Sequence, residues 1–518
     1  MQVPMTVCGL LNFQMMCKFF KINFKYLTNM DDFCCSLFMP FPIHIIAFLL
    51  LSVFTIAMSL VWVKFFPAQK FFSRKVLHVV SIFILSICVE QLNLIYLNQF
   101  IGLLLGIELI LLFAVNYGFF YSEGRKSWGI VYFLPPTILL LWLFPSQIFL
   151  ISVSLKILAF SDGFSAIIGR IFENGIKSHL RGEVGNSFWK KLAQFNHITW
   201  GSDSKTFIGS YVFFVSTIVI LGDTQIPFQW ILFSAFVLTS TELLCGKGSD
   251  NLFIPLLSFA LIQFSKNHLF VELDYWVIVV GVFLVLMVIN LKFKWLSQSG
   301  FVFAAILGSI VLMNGMSLWP LIIFFLLGTL SGKLNKSDIS DAKHSKPRDA
   351  FQVLANGGGV LVIVLIQTLL DPSENLDTFM LVSVAVACSD TLSSEIGMRF
   401  GKKAYNIFTL REVPKGLSGG VSIPGFIGAF IGAFAIALFG GNEFGFILFW
   451  GIMGSIIDSI LGMLFQAKYN HAGVLSDRKE GELVKGYAFV TNDLVNFGSN
   501  ILVLVLYFMA PIILALLS

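Results

Sequence analysis

Apolar stretches recur along nearly the whole chain, separated by short polar breaks. The first is FPIHIIAFLLLSVFTIAMSLVWV (residues 41–63) and the last is LVNFGSNILVLVLYFMAPIILALLS (residues 494–518). Roughly sixteen such stretches can be counted. A hydrocarbon core about 30 Å thick takes about 20 helical residues to cross. The pattern therefore predicts an all-α fold, a polytopic bundle of about 15 to 16 transmembrane helices. Some stretches, such as ISVSLKILAF (residues 151–160), are too short to cross unless the helix runs on through the polar motif behind them. That places motif residues inside membrane helices, near their ends.

The order of polar elements repeats. RKVLHV parallels PRDAFQVLAN, SDGFSAIIG parallels SDTLSSEIG, SDSKTFIGS parallels VPKGLSGGVS, TELLC parallels IIDSILG, and SDNLFIPL parallels TNDLVNF. The spacings differ, so the expectation is a distant duplication: two tandem related bundles, residues 42–270 and 271–518. Residues 1–41 carry Lys18 and Lys21 but no clean signal-peptide pattern, and read as a tail or a weak extra span.

Composition agrees with a membrane protein. Of 518 residues, 57% are hydrophobic and 12% charged, and the mean hydropathy is +0.86. A soluble chain carries about 25% charged residues. The net charge of +5 is spread over many loops, with no basic, aromatic-interleaved patch, so nucleic acid is not an expected partner. Every second loop holds the Lys and Arg, for example Lys64 to Lys75, Arg170 to Lys205, Arg399 to Lys415 and Arg478 to Lys485. The loops between them, such as FPSQ, GDTQIP and GGNE, are nearly free of positive charge, and Lys266 is the exception. The positive-inside rule assigns the basic loops to the cytoplasm. The seven cysteines form no C-x-x-C pair and read as small buried hydrophobes rather than a zinc site or disulfide framework.

Four motifs stand in the first half: SRKVLHVV (residues 73–80), FSDGFSAIIGR (160–170), SDSKTFIGS (202–210) and TELLCGKGSDNLFIPL (241–256). Taken singly, each has a plain explanation. Asp162 follows a serine at a helix start and reads as well as a capping residue. Lys205 could be an anchor on the inner side, and Asp250-Asn251 a helix cap. Glu242, inside an apolar run, is harder to excuse. Together they put two or three carboxylates, a lysine and a Gly/Ser turn in one compartment. Hard oxygen ligands for Mg²⁺ beside donors for phosphate are what a nucleoside triphosphate needs.

As a set, R-K-x-x-H, D-x-x-A-x-x-x-G-R, K-[TS]-x-x-G-S and D-N-L-x-I-P-L resemble the membrane prenol kinases, phytol kinase and dolichol kinase, relatives of CDP-diacylglycerol synthase. The resemblance implies CTP-dependent phosphorylation of a long isoprenoid alcohol. It implies site roles for Arg74, Lys75, His78, Asp162, Arg170, Lys205, Ser210, Glu242, Asp250 and Asn251. The loop after Arg170 is longer than in that family, and leaves Lys177, Arg181, Lys190 and Lys191 as alternatives for a further basic residue.

The second half carries KPRDAFQVLANGG (346–358), ACSDTLSSEIGMRFGKK (387–403), VPKGLSGGVSIPG (413–425), GSIIDSILGMLFQ (454–466) and TNDLVNFGSN (491–500). The glycines of GFIGAFIGAFA read as tight helix packing. PKGLSGG does not, since Lys, Ser and Gly coincide in a loop. Asp390, Glu395 and Asp458 are acids in apolar surroundings. These strings are similar to the DUF92 integral membrane family, which includes plant phytyl-phosphate kinase and the eukaryotic TMEM nineteen protein. The resemblance implies phosphorylation of a prenyl monophosphate to the diphosphate. It carries over Arg348, Asp349, Gln352, Asn356, Asp390, Thr391, Ser394, Glu395, Lys415, Ser418, Gly419, Asp458, Asn492, Asp493 and Asn496. Leu417-Ser418 stands where the family has Thr-Asn.

The resulting expectation is a multi-pass, bifunctional membrane kinase with its sites facing the cytoplasm. It would take isoprenoid alcohol (phytol, geranylgeraniol or farnesol) to monophosphate and then diphosphate with CTP or another nucleoside triphosphate. Mg²⁺ would sit on Asp162, Glu242 and Asp250 in one half, and on Asp390, Asp458 and Asp493 in the other. The partners are the isoprenoid alcohol, the prenyl phosphate, the nucleotide and membrane lipid. The alternatives are an ion-coupled transporter, whose intramembrane acids bind ions, and a cytidylyltransferase making a CDP-lipid.

Overall fold

The computed structural model describes residues 43–66, 69–116, 121–122, 125–126, 129, 131–180, 187–198, 205–246, 248–267, 288, 290, 292–334, 347–370, 376–409, 411–471, 474–477 and 481–517. The expected tail at 1–41 and Arg181 lie outside these residues. The chain divides into two compact units, with the break between Phe270 and Val271. Among the described residues, eight helices are long and apolar enough to cross a membrane, and six further apolar helices are shorter. The protein is a multi-pass membrane protein built mainly of helices.

The first unit contains α1 (Ile43–Phe65), α2 (Lys70–Glu90), α3 (Leu97–Asn116), a small hairpin of β1 (Tyr121–Ser122) and β2 (Arg125–Lys126), and α4 (Leu134–Leu143). Next comes α5 (Ile148–Lys156), which passes without a break through a π turn (Ile157–Asp162) into α6 (Gly163–Leu180). The short run 151–160 thus becomes part of a crossing from Ile148 to Ser178, as its length required. After α7 (Ser187–Asn196), β3 (His197–Ile198) pairs antiparallel with β4 (Lys205–Thr206), which leads directly into α8 (Phe207–Leu221). Thr206 is extended and its side chain accepts the Gly209 N–H at 3.1 Å, so this β-branched residue ends the strand and caps the helix. α9 (Phe228–Leu244) and α10 (Asp250–Asn267) complete the unit. The α5–π–α6 helix is its axis. Ile157, Leu158 and Ala159 have no exposed surface, with α2 packed on one side and α8 on the other.

The second unit contains α11 (Gln298–Met313), α12 (Trp319–Leu334), α13 (Ala350–Leu370), α14 (Asp377–Phe400), α15 (Ile423–Ala437), α16 (Phe444–Phe465) and α17 (Asn492–Leu517). α14 is the central helix, buried from Met380 to Ser389 and packed against α12, α13, α15, α16 and α17. Gly425, Gly428 and Gly432 lie three and four apart on α15. A Cβ at Gly428 would stand 2.4 Å from the Leu392 carbonyl oxygen, and one at Gly432 2.6 Å from that of Cys388. The glycine run is a packing surface, as its spacing suggests. Two small antiparallel sheets emerge between helices. One, in the order β6 (Glu412–Val413), β5 (Ala404–Asn406), β7 (Gly420–Val421), links α14 to α15. The other, in the order β10 (Glu482–Lys485), β8 (Lys468–His471), β9 (Val474–Ser476), links α16 to α17.

Candidate functional site

In the first unit the polar motifs converge on the π turn. A π turn widens the helix by one residue and aims the side chains after it differently from an α-helix, and such turns are frequent at functional sites. Asp162 closes this one, with its side chain only 3% exposed. Lys75 Nζ lies 2.9 Å from Asp162 Oδ2 and His78 Nε2 3.1 Å from the same oxygen. The R-K-x-x-H spacing explains this: positions three apart share one face of α2, and that face meets the π turn. The second pair is Lys205 Nζ with Glu242 Oε1, at 2.6 Å, the carboxylate 5% exposed. Burial by itself pushes the Lys205 ammonium pKa down. The charges of Glu242, Asp250 and Asp162 outweigh that, and the net direction is up. Lys205 therefore stays protonated, in the field of all three acids.

Other expected residues have structural work. Ser210 Oγ donates to the Thr206 carbonyl at 3.2 Å, within α8. The first N–H groups of α8 are also used: Ile208 donates to Asn196 Oδ1 and Gly209 to Thr206. The KTFIGS stretch is thus a capped helix start, and Lys205 is the member of it that reaches the acids. Asn251 Nδ2 holds the Gly129 carbonyl at 2.7 Å. The Arg170 guanidinium lies 5.2 Å from the centre of the Phe71 ring, on the loop-facing side of Lys75 along α2. Arg74 is half-buried and Lys177 pairs with Glu173 at 2.6 Å on the outside of α6. A cluster that the motifs did not point to lies toward the other end of α2. There Glu90 Oε2 accepts from Lys156 Nζ at 2.6 Å and from Ser152 Oγ at 2.8 Å.

In the second unit the expected residues join α12, α13, α16 and α17. Arg348 Nη2 donates to the Gly328 carbonyl at 2.9 Å. Burial pushes the Arg348 pKa down and the Glu395 charge partly offsets this. Gly332 of α12 lies beside Glu395: a Cβ there would be 3.6 Å from Oε1, an ordinary contact. Asp458 Oδ1 accepts from Ser499 Oγ at 2.9 Å. Asn492, Asn496 and Asn356 form a chain of amides at 3.3 and 3.4 Å, and Asn356 returns to the Gln352 carbonyl. Asp390, Thr391 and Asp493 are half-buried, while Ser394 and Lys415 are exposed. Asp349 and Gln352 are a reciprocal cap on α13. The Gln352 N–H donates to Asp349 Oδ1 at 3.0 Å and the Asp349 N–H to Gln352 Oε1 at 3.3 Å. Those two motif positions start a helix. Ser418 donates both its N–H and its hydroxyl to Asp477, a residue outside the expected set.

The duplication is visible at one crossing in each unit. A Cβ on Gly169 would meet Thr206 Oγ1, then Gly209 Cα at 3.4 Å; a Cβ on Gly397 would meet Ser422 Oγ, then Gly425 Cα at 3.3 Å. Gly209 backs onto the Ser165 carbonyl and Gly425 onto that of Ser393. Ser422, like Thr206, caps the next helix through the N–H three residues on. Asp162 and Asp390 are then equivalent, each three residues before the matched serine. The same match sets Val421 opposite Lys205, and Ser422, the last residue of VPKGLSGGVS, opposite Thr206 of SDSKTFIGS. In the second unit Gly328 of α12 lies against Thr391, and the Arg348 guanidinium of the PRDAFQVLAN motif reaches the same glycine.

Among the described residues, no three His, Cys, Asp or Glu side chains are grouped closely enough to hold a metal ion. Neither expected three-acid set, Asp162, Glu242 and Asp250 or Asp390, Asp458 and Asp493, is a preformed cage. In the first unit the reason is that Asp162 and Glu242 each face a cation of their own. Mg²⁺ is commonly held by one or two carboxylates and the substrate phosphates rather than by a protein cage. Half-buried Asp250, in the field of Lys205, fits an ion arriving with a triphosphate.

Fold and polar interior define an integral membrane protein whose charged groups sit inside helix bundles. Residues 281–504 match the family described as integral membrane protein DUF92. The chain is 34% identical over 187 residues to an uncharacterized membrane protein of Methanocaldococcus jannaschii, a match spanning 34% of this chain and 77% of that protein. It is 35% identical over 95 residues to an uncharacterized membrane protein of Synechocystis sp., spanning 17% of this chain and 36% of that protein. No solved structure matches. The chain belongs to the DUF92 family of integral membrane proteins.

Proposed function

We propose that the chain is a membrane kinase that phosphorylates an isoprenoid alcohol in its first unit and the resulting monophosphate in its second, with CTP or another nucleoside triphosphate as donor. The observation that carries this reading is the buried pairing of Lys75 and His78 with Asp162 beside that of Lys205 with Glu242. Cations held inside a membrane bundle are costly unless matched. Matched cations that can re-pair with phosphate are what phosphoryl transfer requires, since its catalysis is mainly positioning and charge stabilisation. The lipid tail lies between helices and its hydroxyl reaches the basic end of the bundle, which the charge of the loops assigns to the cytoplasm. The alcohol oxygen attacks the terminal phosphorus, and the bond from that phosphorus to the bridging oxygen breaks. Asp162 takes the hydroxyl proton, and Lys205 faces the transferring group. Asp250 would be the protein ligand of a Mg²⁺ bound with the triphosphate, and such an ion would supply neutralisation of the leaving diphosphate. In the second unit Asp390 takes the place of Asp162.

The test uses purified full-length protein, geranylgeraniol and radiolabelled CTP, with ATP, GTP and UTP in parallel. Wild type makes mono- and diphosphate. Asp390→Ala stops at monophosphate, and Asp162→Ala acts only on supplied monophosphate. If both variants still convert alcohol to diphosphate, the division of labour is wrong. A CDP-lipid by mass spectrometry would replace the kinase reading by nucleotidyl transfer, and no lipid-dependent nucleotide turnover at all would remove both.

A further inference from the structure

The loop at residues 414–420 lies against the end of α16. A Cβ on Gly419 would stand 2.5 Å from Met463 Cβ, and one on Gly462 3.2 Å from Ser418 Cβ. Gly416 and Gly419 have φ of +81° and +82°, the left-handed region that suits glycine. The Leu417 and Gly420 N–H groups close turns on the Pro414 and Leu417 carbonyls, and the Ser418 N–H between them is left to meet an anion. The anion bound here is part of the chain. The Ser418 N–H, at 3.1 Å, and the Ser418 hydroxyl both donate to Asp477 Oδ2. The other oxygen, Oδ1, is shielded and has no hydrogen-bond partner among the described residues. A carboxylate held by one oxygen, with the other desolvated and unsatisfied, makes a contact that is readily given up.

A cation stands beside this contact. Lys468 is 2% exposed, and its Nζ donates to the carbonyls of Gly462 at 2.9 Å and Met463 at 3.4 Å. Burial pushes its pKa down and the Asp477 charge offsets part of that, so the two charges feel one another. The loop's own Lys415 is exposed. The buried charge available to an anion in this loop is therefore Lys468.

We propose that residues 416–420 form a phosphate cradle with Lys468 as its buried cation, and that the Asp477 carboxylate occupies the cradle until a phosphate displaces it. One anion exchanges for another, so Lys468 is never left beside the α16 carbonyls without a negative partner. The incoming group also brings oxygens enough to use the Ser418 N–H and hydroxyl together with Lys468. The name of the phosphate, nucleotide or prenyl monophosphate, rests on the function proposed above; the cradle and its occupant do not.

The experiment measures binding of inorganic tripolyphosphate to the full-length protein in detergent, without turnover. Asp477→Asn keeps the shape and removes the competing charge. It is expected to tighten binding about fivefold or more, because the wild-type affinity is reduced by the fraction of closed cradle. Lys468→Gln is expected to abolish the part of the binding that Asp477→Asn tightens. Equal or weaker binding to Asp477→Asn overturns the proposal. Should that variant misfold, the wild type still decides. Carbodiimide labelling of Asp477, read by mass spectrometry, rises when tripolyphosphate is added if the side chain is displaced; unchanged or reduced labelling overturns the proposal. CTP and geranylgeranyl monophosphate in place of tripolyphosphate identify the source of the phosphate by which one the Asp477→Asn change tightens, and the idea fails if neither is tightened. Because no transfer is measured, absence of kinase activity leaves a positive result standing.

Discussion

Lys205 Nζ and Glu242 Oε1 stand 2.6 Å apart, bridging the strand that enters α8 and the last turn of α9, with the carboxylate 5% exposed. A buried pair of this kind gives little net stability, but losing one member strands the other. Lys205→Met is therefore expected to cost about 3–5 kcal/mol, and Lys205→Met with Glu242→Gln to recover most of it. Thermal unfolding in detergent checks the order of the three proteins. The pKa of Lys205 is raised above its ordinary 10.5, so its contribution is fully present below 10.5 and is lost only as pH climbs through the higher folded value. The stability difference between wild type and Lys205→Met should not vary between about pH 6 and pH 9 on this account.

Lys75 is the cation nearest Asp162, at 2.9 Å. Under the proposed function Lys75→Met should lower phosphorylation of the alcohol about 10²–10³-fold, the range for removal of one preorganised electrostatic partner. Phosphorylation of supplied monophosphate, assigned to the second unit, should persist. Equal loss of both steps would show that Lys75 serves stability instead.

The matched crossings make a graded prediction. A methyl group at Gly169 would come within 2.5 Å of Thr206 Oγ1, and one at Gly397 within 3.2 Å of Ser422 Oγ. Gly169→Ala should thus destabilise by about 1–3 kcal/mol, the range for overpacking a tight contact, and Gly397→Ala by less. Melting temperatures of the two variants give the comparison. A larger loss at Gly397 would count against the equivalence of the crossings.

The spans and the division into helices were legible because the hydrophobic signal is long-range and additive over about 20 residues. Partners were not. Lys75 and Asp162 are 87 positions apart, and only the packing of α2 on the π turn joins them. Residue type alone does not set the register of the repeat around Lys205. What the fold preserves is the capping hydroxyl, Thr206 or Ser422, three residues before a close-packed glycine. Lys468 and Asp477 passed unnoticed for the same reason. A lysine just after a span looks like an anchor, and the groups these residues meet are backbone carbonyls and a serine 59 residues away.

The motif R-D-x-x-Q-V shows how one string can mix two kinds of residue, and it yields the last prediction. Asp349 and Gln352 satisfy each other's N–H groups at the start of α13, at 3.0 and 3.3 Å. Asp349 is exposed, so replacing it removes a cap and little else. Asp349→Ala should cost about 1 kcal/mol of stability and leave phosphorylation of the monophosphate within about twofold. Arg348, one position earlier, is a different case. Its guanidinium is held by the Gly328 carbonyl at 2.9 Å, lies where a Cβ on Gly328 would meet it, and feels Glu395. Arg348→Met leaves the Glu395 carboxylate without that charge, and about 3 kcal/mol of destabilisation with loss of the second step is expected. Side-by-side melting and turnover of the two variants separate the cap from the charge. If Asp349→Ala abolishes turnover at unchanged stability, the carboxylate acts on substrate and its reading as a helix cap is insufficient.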